Sequence, residues 1–134
     1  MIKDKKGFTL IELLVVVAII TILAAAIVVG INPAKHFRTA RNATRWSHMN
    51  AIATTVYSYA VENAGAFPTC IPPEDPPTPA DISACDAELV PDYIHALPAD
   101  PQAGETYQII REGEGIKITS TAQEAIDDSV YLIQ

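Results

Sequence analysis

The sequence predicts an α+β protein in which one long N-terminal helix packs on a small antiparallel sheet of three strands. Two observations predict the helix: an apolar run over 8–31 that holds one charge, Glu12, and helical spacing that continues to about residue 64. A third, short runs of β pattern over 106–133, predicts the sheet. The chain has 134 residues, too few for a catalytic domain with a deep pocket, and holds one run long enough to cross a bilayer.

The first half of the predicted helix, 8–31, has the length and composition of a membrane span. Its 24 residues extend about 36 Å as a helix, against about 30 Å for the hydrocarbon core of a bilayer. Lys3, Lys5 and Lys6 precede it. Lysines before a span favour a cytoplasmic N-terminus, so the rest of the chain is expected outside the cytoplasm.

The second half, 32–64, is predicted to be amphipathic. Proline removes a backbone donor and disfavours helical geometry in the preceding residue, so Asn32-Pro33 predicts a kink or a break. Apolar residues then recur at helical spacing over 49–60, and Gly65 is expected to cap the C-terminus.

A basic stripe lies near the start of this second half. Its four members recur every three or four residues: Lys35, Arg38, Arg41 and Arg45. They are interpreted either as a solvated helix face or as contacts to acidic heads of neighbouring subunits.

The remainder, 65–134, is predicted to be a globular head. It begins with a proline-rich stretch, 67–79, which contains six prolines and is read as an extended surface loop. Cys70 and Cys85 enclose 14 residues, and they form a disulfide if the head lies outside the cytoplasm. The alternative is a pair of reduced, buried thiols.

Three strands complete the predicted head. Two of them, 106–111 and 116–121, flank a turn with two glycines, and the third is 129–133. In the second strand apolar and polar residues alternate, so one face of the sheet is expected to pack on the apolar face of the helix.

Charge is distributed unevenly along the chain. The net charge is −7, but 14 acidic and two basic residues lie beyond residue 45, which gives −12 there. A head of this sign repels nucleic acid, so no direct nucleic-acid binding is expected. The sequence shows no catalytic triad, no phosphate-binding loop and no metal-ligand motif of histidines, and it predicts a protein that is not an enzyme and needs no cofactor.

The segment Gly7-Phe8-Thr9-Leu10-Ile11-Glu12 carries the strongest functional signal. A carboxylate inside a membrane helix costs about 2.5 kcal/mol or more, so Glu12 needs a partner. Cleavage between Gly7 and Phe8 would give Phe8 a free amine. In an assembly the amine of one subunit could then pair with Glu12 of another, which offsets the burial of both charges.

This segment, with the short basic leader before it and the apolar run after it, closely resembles the class III signal of type IV pilins and pseudopilins. The resemblance implies that 1–7 is a leader, that a prepilin peptidase cuts after Gly7 and methylates Phe8, and that Glu12 aligns incoming subunits. The mature chain would carry 6 basic and 15 acidic residues, a net charge of −9.

The resemblance also implies a pilin-like fold and a structural role. The chain is expected to be a subunit of a type IV pilus-like filament, polymerised through its N-terminal helix. The alternatives are a pseudopilin of a type II secretion system, which the passage 97–107 resembles, or a minor pilin that binds at a filament tip.

Partners and location follow from the same resemblance. The expected partners are the prepilin peptidase, other copies of the chain and an inner-membrane assembly platform. The precursor is expected in the cytoplasmic membrane, and the filament in the periplasm or outside the cell.

Competing interpretations concern the apolar run and the acidic residues near the C-terminus. The run could be a secretory signal cut near 24–26, or a plain single-pass anchor, although Glu12 interrupts it. Some pseudopilins bind calcium in a loop comparable to that of Glu124, Asp127 and Asp128. This segment lacks the ligand spacing of an EF-hand calcium loop, so a solvated turn is favoured over a calcium site.

Overall fold

The computed structural model describes residues 7–73 and 78–134. Lys3, Lys5, Lys6 and nearly all of the expected leader lie outside the described residues, and so does the middle of the proline-rich stretch. The chain divides into two compact units, Met1–Phe37 and Arg38–Gln134.

The N-terminal unit contains helix α1, Leu10–Ile31, and the start of helix α2, Pro33–Glu62. The long helix expected over 8–64 is broken into two helices at Asn32, which confirms the break predicted at Asn32-Pro33. Asn32 is left-handed, with φ of 47°, a conformation that asparagine tolerates better than most residues. Pro33 suits the first position of α2, because its fixed φ is helical and the donor it lacks would be unpaired there.

None of the residues of α1 is buried. Its large apolar side chains, from Leu10 to Ile31, are exposed along the whole helix. By length and composition, α1 is long enough and apolar enough to cross a membrane. The helix therefore has no hydrophobic core of its own.

Helix α2 buries one apolar face in the head. Met49, Ile52, Ala53 and Val56 on that face are fully buried. The helix ends at Glu62, two left-handed residues, Ala64 and Gly65, follow in the next turn, and the N–H of Gly65 donates to the carbonyl of Ala60 at 2.8 Å. This bond satisfies a carbonyl that the helix end would otherwise leave unpaired.

Within residues 7–73 and 78–134 the sheet has four antiparallel strands, not the three expected. In sequence order, and also in sheet order, the strands are β1 Ala80–Asp81, β2 Tyr107–Glu112, β3 Gly115–Ser120 and β4 Tyr131–Ile133. The additional strand, β1, contains two residues, which are too few to show alternation in a sequence. It pairs with β2 through Ala80 opposite Ile109.

Short helices connect the strands. A 3-10 helix, Ile82–Cys85, leads into α3, Asp86–Leu89, and α4, Gln123–Asp127, lies between β3 and β4. Asp81 caps the 3-10 helix, since its carboxylate accepts from the N–H of Ser83 at 2.8 Å.

Burial alternates along β3, whereas in β2 the consecutive residues Ile109 and Ile110 are both buried. Ile109 lies opposite Ile118, and both belong to the same core as Met49 and Val56 of α2. This core holds together α2 and the strands, which carry the polar side chains of the head.

Candidate processing and assembly site

The peptide bond between Gly7 and Phe8 lies ahead of α1, outside regular secondary structure. Both residues are exposed, and the Phe8 side chain is 86% exposed. A protease can therefore reach this bond without unfolding the helix that follows.

Glu12 is bound by the N-terminus of its own helix. Its Oε2 accepts from the N–H of Thr9 at 2.9 Å and from the Thr9 hydroxyl at 2.8 Å, while the N–H of Glu12 donates to that hydroxyl at 3.3 Å. This is a capping box, and a carboxylate there also complements the positive end of the helix dipole. The capping role of Thr9 was not predicted from the sequence, although threonine followed three residues later by glutamate is the recognised signature of a capping box.

The disulfide joins Cys70 of the proline-rich stretch to Cys85 at the end of the 3-10 helix, with Cα atoms 5.2 Å apart. The carboxylate of Glu88 lies beside it. Glu88 accepts from the N–H of Thr69 at 3.0 Å, the Thr69 hydroxyl at 2.7 Å, the N–H of Cys70 at 3.1 Å and the Tyr59 hydroxyl at 3.2 Å.

These hydrogen bonds, the one from the backbone of Thr69 first, lower the pKa of Glu88 although burial opposes them. The start of the proline-rich stretch is thus held by a covalent bond and by an ionised carboxylate. Sequence reasoning missed Glu88, because its donors come from two segments that are distant in sequence, Tyr59 of α2 and residues 69–70.

A buried ion pair lies at the centre of the head. Arg45 donates from Nε and from one terminal nitrogen to the two carboxylate oxygens of Asp100, each at 2.8 Å. Both side chains are 0% exposed. The hydroxyl of Ser120 also donates to Asp100, at 2.7 Å, and the other terminal nitrogen of Arg45 reaches Glu124 at 2.6 Å.

The two charges of this pair stabilise each other. The hydrogen bond to Asp100 raises the pKa of Arg45, against burial. Burial alone would raise the pKa of Asp100, but the hydrogen bonds from Arg45, Ser120 and Gln102 outweigh it and lower that pKa. Both groups therefore stay ionised inside the head.

Two further arginines of α2 pair with the α4 region. Arg41 donates to both carboxylate oxygens of Glu124, at 2.6 and 2.5 Å, and Arg38 to both oxygens of Asp128, at 2.6 and 2.5 Å. We give the name arginine cluster to Arg38, Arg41 and Arg45. All three arginines pair with acids of their own chain, which lie 55 to 90 residues away in sequence. Their contact with acidic heads of neighbouring subunits stays a prediction.

The three calcium candidates do not converge as a ligand set. Glu124 and Asp128 face guanidinium groups, and Asp127 accepts from Gln123 at 2.8 Å. Within 7–73 and 78–134, no group of three or more His, Cys, Asp or Glu side chains is placed to hold a metal ion. The charge that a cation would supply comes from the arginine cluster.

Comparison with known proteins places the N-terminus in a recognised class. The family model described as the prokaryotic N-terminal methylation motif matches residues 2–28. No curated protein and no solved structure matches the chain. The chain therefore carries the class III signal found in precursors of the type IV pilin and pseudopilin family, and the resemblance noted in its sequence is confirmed.

The buried ion pair predicts a large effect for Arg45→Met. The substitution leaves Asp100 buried without its counter-charge, which we expect to lower the free energy of unfolding by about 3–5 kcal/mol. The measurement is denaturant unfolding of the full chain in detergent, followed by near-UV circular dichroism. Adding Asp100→Asn should recover part of the loss.

The matched control is Lys117→Met. It removes an ion pair to Glu112 that is 3.7 Å long and more than one third exposed, and we expect a loss of about 0–1 kcal/mol. Equal losses for the two single variants would contradict a dominant role for the buried pair.

Acid is expected to destabilise the head through Glu124. The hydrogen bonds from Arg41, and then Arg45, lower the pKa of Glu124 from 4.5 to about 2. In the unfolded chain this carboxyl takes up its proton at higher pH, so its contribution is complete above about pH 5 and is lost as the pH falls towards 2. Unfolding midpoints between pH 7 and pH 3 measure this loss.

Glu124→Gln should lower the midpoint at pH 7 and flatten its fall in acid. The control Glu114→Gln, in the exposed β2–β3 turn, should keep the wild-type fall. A Glu124→Gln profile parallel to that of the wild type would show that this group is not responsible.

Proposed function

We propose that the chain is a structural subunit of a type IV pilus-like filament. A prepilin peptidase cuts between Gly7 and Phe8 and methylates the new amine of Phe8, and the product polymerises through its N-terminal helix. One observation carries the proposal: the methylation motif over 2–28 stands at the start of a 22-residue apolar helix that buries nothing in its own chain.

The exposed surface of α1 explains why such a subunit needs two environments. Each large apolar side chain costs about 1.5–3 kcal/mol when it is left in water instead of buried. Before assembly the bilayer covers α1, and the precursor is anchored in the cytoplasmic membrane with its head outside the cytoplasm. In the filament, which lies in the periplasm or outside the cell, other copies of α1 replace the lipid.

Glu12 is the residue that we propose sets the register between copies. Lipid is as apolar as the helix, so apolar contact alone does not select one packing of membrane helices. A carboxylate in a low-dielectric environment does favour one packing of the helices, because it is stabilised most when a neighbour places a cation beside it. The methylated amine of Phe8, which stays positively charged, supplies that cation.

The remaining partners follow from the route of assembly. The inner-membrane assembly platform receives the cleaved chain from the bilayer and adds it to the base of the growing filament.

The second candidate is a pseudopilin of a type II secretion system. The passage 97–107, which resembles pseudopilins, favours it, and here this passage contributes two fully buried side chains, Asp100 and Tyr107, to the head. A minor pilin at a filament tip would use the same processing. These versions differ in abundance and location, not in the chemistry of Gly7, Phe8 and Glu12.

Mass spectrometry of sheared filaments and of membranes tests the proposal. We expect an N-terminal peptide that begins at N-methyl-Phe8 and is abundant in the sheared fraction. The same peptide confined to membranes would favour the pseudopilin or the minor pilin. A chain that still starts at Met1, or one that starts near residue 27, would overturn the proposal.

Glu12→Gln tests the assembly step separately from processing. The cleavage site is unchanged, so we expect cleavage and methylation to continue. Filament yield should fall by about tenfold or more, because the amide leaves the neighbour's amine without a counter-charge. Immunoblots of sheared and membrane fractions measure both quantities.

The control for this variant is Thr21→Val. Thr21 is a polar residue of the same helix whose hydroxyl donates to the Val17 carbonyl at 2.7 Å. Its replacement should leave filament yield close to wild type. Equal yields from Glu12→Gln and Thr21→Val would remove Glu12 from the mechanism.

A further inference from the structure

A cleft of about 360 Å³ opens on the head, between the 3-10 helix, the loop 96–100 and the start of β2. We call it the β2 cleft. Its floor is apolar and includes Ile82, Leu97 and Tyr107, of which Ile82 and Tyr107 are buried. The volume lies at the lower end of the range of about 300–1,000 Å³ that is usual for ligand sites.

The rim of the β2 cleft is acidic. Asp81, Asp86 and Glu105 line it, together with Asp100. The charge of Asp100 is balanced by its ion pair with Arg45. Among the described residues no lysine or arginine lines the cleft to balance the other carboxylates. The apolar floor and the uncompensated negative rim fit a ligand that has an apolar stem and a cationic end.

The rim carboxylates differ in how firmly the chain holds them. Asp81 accepts hydrogen bonds from Ser83 and Thr106, and one oxygen of Glu105 accepts from the Thr121 hydroxyl at 2.6 Å. The exposed carboxylate of Asp86 makes no hydrogen bond or ion pair within 7–73 and 78–134. Asp81 therefore helps to shape the rim, while Asp86 and Glu105 offer oxygens to a ligand.

We propose that the β2 cleft binds a lysine side chain presented by a different protein. The methylene stem lies along the apolar floor and the ammonium group reaches the carboxylates of Asp86 and Glu105 at the rim. Lysine suits this arrangement because it combines a flexible apolar stem with a compact group of three donors.

The partner is a different protein because the basic residues of a second copy are already occupied. The arginine cluster is paired with its own acids, Lys117 is shared between Glu112 and Tyr131, and the Arg111 guanidinium stacks on Phe67. Lys35 also has an interaction within the chain. Lys3, Lys5 and Lys6 precede the proposed cleavage site, so the proposed mature chain does not contain them.

The test is a nuclear magnetic resonance titration of the full ¹⁵N-labelled chain in detergent micelles, at an ionic strength of about 0.15 M. The probe is the peptide Gly-Gly-Lys-Gly-Gly with blocked ends, so that the lysine carries its only charge. The matched probe has Nε-acetyl-lysine in the same place. We expect saturable shifts at the amides of Ser83, Leu97 and Thr106 for the lysine peptide, and none for the acetylated one.

Two double variants with equal loss of charge complete the test. Asp86→Asn with Glu105→Gln should raise the Kd by about tenfold or more, since an energy of about 1.4 kcal/mol corresponds to that factor. Asp92→Asn with Glu114→Gln, which lie outside the cleft, should leave the Kd within about twofold.

Three results would overturn the proposal. One is a set of unsaturated shifts spread over the acidic surface, with the two double variants indistinguishable, since this shows general charge attraction. Another is equal binding of the acetylated peptide, because the rim would then contribute nothing. The third is an absence of shifts at the three cleft amides.

Discussion

The head depends on one buried guanidinium. Arg45 of α2 connects Asp100, in the loop before β2, with Glu124 of α4, and Asp100 in turn binds Ser120 at the end of β3. An unpaired charge at this depth costs several kcal/mol, so displacement of any of these segments is penalised electrostatically as well as by lost packing. Apolar contacts between α2 and the sheet supply most of the burial, whereas the guanidinium specifies which loop and which short helix lie against them.

The N-terminal unit has the opposite property. The side chains of α1 that would form a core in a soluble protein all face outward, and its acidic residue, Glu12, is satisfied by Thr9 at the helix N-terminus. The capping box holds the carboxylate at the N-terminus of α1. One chain therefore contains a head with a buried, internally paired ion pair and a helix whose apolar surface is exposed along its whole length.

Local patterns in the sequence were sufficient for some elements and insufficient for others. Periodicity and turn glycines are visible in short windows of sequence. They were enough to predict the apolar run, the buried face over 49–60 and the β2–β3 hairpin. Strand β1 has two residues and α4 has five, so neither shows a period. The pairing of Arg38 with Asp128 spans 90 residues, so it depends on the tertiary fold that brings α4 to α2 and not on a local pattern. The capping role of Thr9 was not predicted, although the spacing of Thr9 and Glu12 is the signature of a capping box.

The interruption at Asn32 limits how far unwinding of one helix can spread into the next. Helix formation is cooperative because each new residue extends a continuous series of backbone hydrogen bonds, and a new helix needs its own nucleus. At Asn32 the left-handed backbone and the missing donor of Pro33 end one series, and α2 begins another. Unwinding in the last turns of α1 therefore stops at this residue. Helix α2 keeps its own hydrogen bonds and its buried face when the end of α1 frays.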